Sequence, residues 1–393
     1  MATLGTTSAT NNKASIQILA RLGKGLIMKK FAAFAMFVLA TALMFVACSA
    51  ESNEKAPAQK KVSIVATIYP QYDWLKNILG DRLDAVNLKL LIQNGTDLHS
   101  YKPSAQDIAA IASADMVVFV GGESDEWIEK ALKATPKDGR VQVNLMEALG
   151  DRVKAEEVVE GMQEETKDEK PALSLPKGRE TKEIAEENHE HGEEAKEHEH
   201  AEKHEDGHHH HEEVENDEHV WLSLKNAELL VMNLADALSK VDTAHATEYH
   251  MNAGLYIAKI SALDAQYRAA TDSAHFKTIL FGDRFPFRYL VDDYGIKYFA
   301  AFVGCSAESE ASFETVAFLA GKMDSLALPA IFTIDESNGK IARAILDASK
   351  KSKETPVLTL NSMQSVTDAQ MQSGVDYLSM MQSNLEVLKK AIK

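Results

Sequence analysis

The chain has 393 residues, 45% of them hydrophobic, a formal net charge of -17 and two cysteines. That length gives material for roughly two domains with a sizeable core, and so few cysteines exclude a disulfide-stapled small fold. The charge is concentrated: residues 176–218 hold 17 acidic and 5 basic residues, or -12 of the total, which excludes nucleic acid as a partner.

In chain order, Lys29 and Lys30 precede an apolar run over residues 31–46, too short for a comfortable membrane span. It ends in Phe45-Val46-Ala47-Cys48. Small residues before a cysteine at that place have the form of a bacterial lipoprotein cleavage site. Residues 1–48 are then a signal peptide, with Met28 as the true start. Cys48 becomes the lipidated first residue, held at a membrane, and residues 49–61 are a tether. Phe45 departs from the usual leucine, and an uncleaved anchor is the alternative. With Cys48 acylated, Cys305 has no disulfide partner, so the core alone must hold the fold.

Residues 62–68 are a β-branched run suited to a buried strand. A helix over 71–79, stopped by Gly80, leads to a strand over 86–92. The turn Asn94-Gly95-Thr96-Asp97 carries the chain to His99, and Pro103-Ser104 opens the next helix. Strands over 115–120 and 141–145 flank a helix over 125–134. From about 150 to 217 the chain has few aromatics, much Glu and Lys and no apolar period, which predicts a largely disordered stretch. Order returns at Val220-Trp221-Leu222. A helix over 224–238 precedes a longer one over 244–274, with Leu255, Ile257, Ile260, Leu263 and Tyr267 as its apolar residues. Then the first pattern repeats: a strand over 278–281 with Gly282-Asp283-Arg284 as its loop, a helix over 285–294, strands over 297–303, 330–334 and 357–360, and a closing helix over 374–392. Alternating strands and helices predict an α/β protein: two βα lobes with mostly parallel sheets, joined by one long rigid helix. The lobes are residues 62–243, including the acidic loop 150–216, and residues 275–393. Functional residues then sit in loops at the strands' carboxyl ends.

Nine of the fourteen histidines fall between residues 189 and 211: His189, His191, His198, His200, His204, His208, His209, His210 and His211. They are interleaved with Glu. A loop that only keeps a protein soluble needs no imidazole, whereas divalent ions are held by imidazole and carboxylate together. The run is read as an auxiliary metal-collecting loop. It leads directly into Asp217-Glu218-His219-Val220-Trp221-Leu222-Ser223.

This motif, with Asp97-Leu98-His99-Ser100-Tyr101-Lys102-Pro103-Ser104, resembles the metal-binding solute receptors of bacterial ABC importers. The acidic His-rich insert resembles the zinc-specific branch of that zinc and manganese receptor family. The resemblance spans residues 62–392. It implies an extracytoplasmic, monomeric receptor that holds one divalent ion between two lobes, zinc first and manganese second. It also implies delivery to an ABC permease and its ATPase. His99 and His219 carry over as ligands. The family's third ligand, a His or an acid in the first loop of the second lobe, falls at Asp283, beside an unfavourable Arg284. Its fourth, a later carboxylate, falls at Glu336 or Asp335. Asp335 also reads as a cap for the following helix, and Asn361 in the other candidate loop is a poor ligand. Cys305 is either a strong thiolate ligand or a small buried residue. Glu308 and Glu310 are further carboxylates in its loop. Histidine ligands must be deprotonated, so affinity is expected to fall steeply below about pH 6. The alternatives are a surface adhesin or metal-storage lipoprotein on the same scaffold, and a zinc hydrolase. The hydrolase lacks an HExxH-type base, so the chain is read as no enzyme.

Overall fold

A computed structural model of the protein describes residues 61–163, 215–306, 310–351 and 353–393. Cys48, Glu308 and the nine clustered histidines lie outside the described residues.

The first lobe is built on β1 (Ser63–Ala66), β2 (Asn87–Leu90), β3 (Met116–Phe119) and β4 (Val141–Asn144). They form one parallel sheet in the order β2-β1-β3-β4. Its helices are α1 (Tyr69–Leu79), α2 (Ala105–Ser113), α3 (Glu126–Ala134), α4 (Leu145–Leu149) and α5 (Leu224–Val241). After α6 (Ala246–Asp272) comes the second lobe. It contains β5 (Thr278–Phe285), α7 (Arg288–Tyr294), β6 (Lys297–Val303), α8 (Phe313–Leu326), β7 (Ile331–Ile334), α9 (Lys340–Ala348), β8 (Val357–Leu360), α10 (Asp368–Gln372) and α11 (Tyr377–Ile392). Its parallel sheet has the order β6-β5-β7-β8, the same arrangement as in the first lobe. In both sheets the order reverses beside the first strand, where α/β proteins form their binding crevice. All four residues of β3 and of β7 are buried, as expected of strands covered on both faces.

The connecting helix α6 has 27 residues and spans about 40 Å at 1.5 Å per residue. Its buried face is Tyr249, Ala253, Tyr256, Ile260, Leu263 and Tyr267, spaced alternately by three and four. Leu255, expected among its apolar residues, is 63% exposed, one position off that stripe. The helix is pinned at both ends. Asn252 Nδ2 donates to Ile78 O at 3.0 Å in the first lobe, and Tyr267 OH donates to Met381 O at 2.6 Å in the second. One continuous buried core runs from Ile64 of β1 through α6 to Leu388 of α11.

Two expectations change. Residues 150–163 are ordered rather than part of the disordered stretch. They lie along the second lobe: Tyr289 OH receives Lys154 N at 3.0 Å, and Gln163 N donates to Ala301 O at 2.9 Å. Ala155 also forms an isolated antiparallel bridge with Asn216. Gly282, Asp283 and Arg284 belong to β5, not to a loop after it, with a register shift between Phe281 and Arg284.

Candidate metal centre

The short 3-10 turn Leu98–Ser100 carries His99 beyond the end of β2. Asp97 caps this turn by accepting His99 N at 2.9 Å. The ring is oriented from behind: its Nδ1 meets Ser124 Oγ at 2.5 Å. Ser124 is in turn held by Glu218, whose Oε1 accepts Ser124 N at 2.7 Å. His219 opens the 3-10 turn Val220–Leu222 and is fully buried. Asp217 Oδ1 accepts both His219 N at 2.8 Å and the ring Nδ1 at 2.9 Å. A donor Nδ1–H leaves Nε2 as the lone-pair nitrogen. The two Nε2 atoms face each other at 3.2 Å.

The opposite wall comes from the second lobe. Cys305 follows β6, and its Sγ lies with the two imidazole nitrogens inside a group whose ligand atoms are all within 4.8 Å of one another. Gly304 lets this loop come close: a Cβ there would sit 2.9 Å from His219 Cε1 and 3.0 Å from Phe285 O. Glu156, on the ordered strap after α4, accepts Cys305 N at 3.1 Å. From the loop after β8, Gln364 Nε2 donates to His99 Nε2 at 2.8 Å and to His219 Nε2 at 2.5 Å. The Gln364 side chain is 2% exposed and its Oε1 has no partner.

Burial and the neighbouring His219, with a further push from Arg284, take His99 down to about 3 against the pull of Asp97. Burial, then the charges of Glu156, Glu218 and Asp217, push the Cys305 thiol up. The arrangement therefore holds His99 neutral, ready to donate its lone pair, and Cys305 as a thiol that must lose a proton before it can ligate.

Two imidazoles and a thiol converging between the two lobes make a donor set able to hold a metal ion. Residues 64–391 match the family described as the zinc-uptake complex component A, periplasmic. The chain belongs to this zinc-uptake family. It is 33% identical over 351 residues to the zinc-binding lipoprotein AdcA of Streptococcus pneumoniae, covering 89% of this chain and 58% of that protein. The chain thus spans less than two thirds of that relative. It is 28% identical to the high-affinity zinc uptake system protein ZnuA of Bacillus subtilis, over 91% of this chain and 97% of that one. The crystal structure of the Zn(II)-bound ZnuA-like domain of Streptococcus pneumoniae AdcA superposes with a TM-score of 0.58 at 27% identity, over 84% of this chain and 99% of that one.

Within this zinc-uptake fold the other expected ligands lie elsewhere. Asp283 is outside the His99–His219–Cys305 group. Its Oδ1 accepts Arg284 N at 3.0 Å, and burial raises its carboxyl while Ser337 and Arg284 oppose the shift. The neighbouring Arg284 reaches across the cleft and pairs with Asp97 Oδ2. Burial raises Asp97, but Arg284 and His99 outweigh it and hold this carboxyl below the ordinary range. Glu336 is exposed, with a left-handed backbone (φ 66), and Glu310 is exposed too. Asp335 does not cap α9, whose N-cap is Gly339. Its Oδ1 instead accepts Ser362 N at 2.6 Å and Ser362 Oγ at 2.8 Å. Asn361 Oδ1 accepts Met363 N at 2.8 Å. Both contacts shape the loop that presents Gln364. Trp221 Nε1 donates to Ser362 O at 2.9 Å, which ties that loop to the turn after His219.

Sequence reasoning set Cys305 against a bland alternative and passed over Gln364, Ser124 and Glu156. A cysteine just after a strand end was the signal available for Cys305. Gln364 has none, because glutamine is common and its partners are 145 and 265 residues away.

Proposed function

We propose that this chain is the extracytoplasmic receptor of a zinc-import system. It captures one Zn²⁺ between its lobes and passes it to an ABC-type permease with its ATPase. The reading rests on one observation: His99 Nε2 and His219 Nε2, from the first lobe, stand 3.2 Å apart, with Cys305 Sγ of the second lobe inside the same 4.8 Å group. Tetrahedral zinc with bonds near 2.0–2.1 Å to nitrogen sets two nitrogens roughly 3.3 Å apart, so the pair needs almost no rearrangement. Two like lone pairs at that distance repel unless a proton, a donor or a cation lies between them. The names of the relatives, zinc-binding and zinc-uptake proteins, support the same cargo.

In this reading the protein binds and releases, and catalyses nothing. The His-rich run collects zinc near the cleft, and the lipid on Cys48 holds the monomer at the membrane. The test is zinc stoichiometry by competition with a chromophoric chelator, on the full chain. One zinc held far more tightly than the rest, and lost in His99→Ala and in His219→Ala, is expected. A tight zinc that survives both substitutions would overturn the assignment of the cleft.

A further inference from the structure

We infer that Glu218 and Ser124 are positioning residues for His99: the Ser124 hydroxyl accepts the ring Nδ1–H and donates its own hydrogen bond to Glu218 Oε2, which keeps His99 Nε2 free to ligate. The inference rests on the proposed receptor reading and names how that site fixes one of its ligands. A neutral imidazole carries one N–H, and a ring that ligates through Nε2 must carry it on Nδ1. For His219 a carboxylate settles the matter, because Asp217 Oδ1 stands 2.9 Å from Nδ1 and only accepts. The partner of His99 is a hydroxyl instead, Ser124 Oγ at 2.5 Å. A hydroxyl both donates and accepts, so alone it supports either tautomer. It is committed to accepting once its own hydrogen is taken up elsewhere. Glu218 is placed to take it. The residue is 1% exposed, its Oε1 accepts Ser124 N at 2.7 Å, and its Oε2 is buried with no partner. A buried carboxylate oxygen without a donor is costly, and the Ser124 hydroxyl supplies one.

The surrounding chain is shaped for this contact. Gly122 leaves room for the carboxylate: a Cβ there would lie 2.2 Å from Glu218 Cγ and 2.3 Å from its Cδ. The 3-10 turn Glu123–Asp125, which carries Ser124, is pinned by the Asp125 carboxylate, which accepts Val120 N at 2.7 Å and Gly121 N at 2.9 Å. Glu218 directly precedes His219, so the tripeptide Asp217-Glu218-His219 braces both imidazoles, one directly and one through a hydroxyl. Every member of this network comes from the first lobe. The spacing of 3.2 Å between the two Nε2 atoms is thus set within one lobe.

The experiment uses the full chain with two readouts: the His99 tautomer by ¹⁵N NMR without zinc, assigned by comparison with His99→Ala, and Zn²⁺ affinity by chelator competition. The unaltered chain is expected to hold His99 with its proton on Nδ1 at pH 7. Glu218→Gln replaces the waiting oxygen by an amide nitrogen that cannot accept, and Ser124→Ala removes the hydroxyl. Each should move the proton toward Nε2 and weaken zinc binding by about 10–100-fold, with the circular dichroism spectrum unchanged. Ser124→Thr keeps the hydroxyl and should restore both readouts. The double variant Ser124→Ala/Glu218→Gln should bind no more weakly than Ser124→Ala alone, because Glu218 acts through the hydroxyl. Losses that add in the double variant overturn the inference, as does a His99 proton that stays on Nδ1 in Glu218→Gln. Either result beside one tight zinc in the unaltered chain leaves the receptor reading standing. The expected tautomers in a chain that holds no tight zinc overturn the receptor reading and leave the positioning pair.

Discussion

Zinc capture should release one proton at neutral pH, and that proton should come from Cys305. Burial and three surrounding carboxylates keep the side chain a thiol well past its ordinary range, whereas zinc binds the thiolate. His99, already pushed far below the usual imidazole range, has no proton to give at pH 7. The half-buried Glu156 carboxyl is raised beside Cys305, but a divalent cation at the sulfur lowers it again, so the proton goes to solvent. The sign follows. Apparent affinity rises tenfold per pH unit, or about 1.4 kcal/mol, for as long as the metal-free protein holds a thiol. Between pH 6 and pH 8 this amounts to about 100-fold, or ~2.7 kcal/mol. A site of ordinary histidines would instead level off above about pH 7.5 and lose affinity only below about pH 6, as the sequence alone led one to expect. Titration calorimetry at pH 7 in buffers of differing ionisation enthalpy counts the protons, and chelator competition from pH 6 to pH 8 gives the slope. Cys305→Ser should abolish the release at pH 7 and flatten the slope. No proton release with a flat profile between pH 7 and pH 8 would refute the thiol argument.

Three further outcomes are expected. Asp217→Asn removes the carboxylate that fixes the His219 ring and should weaken zinc binding by about 10–100-fold with little change in fold, measured by chelator competition and circular dichroism. Arg284→Ala leaves the Asp97 carboxylate partly buried without its partner and should cost about 1–3 kcal/mol in chemical denaturation at neutral pH. Because Asp97 is held below its ordinary value, this stabilisation is complete above about pH 4 and fades as pH falls further, so wild type and variant should converge in strong acid. Gly304→Ala places a Cβ 2.9 Å from the His219 ring and 3.0 Å from the Phe285 carbonyl; it should destabilise the protein by about 1–3 kcal/mol and weaken zinc capture, read by the same two assays.

Much of the architecture was legible along the chain. β-branched runs ended by Gly and Pro marked the strands, and their alternation with helices implied two parallel sheets. A helix long enough to join two lobes showed as an apolar pattern free of turn clusters, but which face it buries did not. Leu255 is as apolar as Ile260, yet only the packing of α1, α5 and α11 decides that Ile260 is covered and Leu255 is 63% exposed. Residues 150–163 read as disordered because their charge and sparse apolar residues cannot bury enough surface alone. Their partners, Tyr289, Ala301 and Cys305, lie some 140 residues away in sequence.

The centre divides along the same line. His99 and His219 each sit in a short motif with a nearby Asp that receives the backbone N–H two residues on, so local sequence carries both the ligand and its support. What opposes them was settled by tertiary structure. A side chain's direction at a strand end depends on register, and a bulge in β5 leaves Asp283 facing its own neighbours while Arg284 reaches Asp97. Cys305 and Gln364 reach the histidines only because β6 and β8 end at the same cleft. Residues that meet across two lobes leave no periodic trace, whereas ligands braced by their own neighbours do.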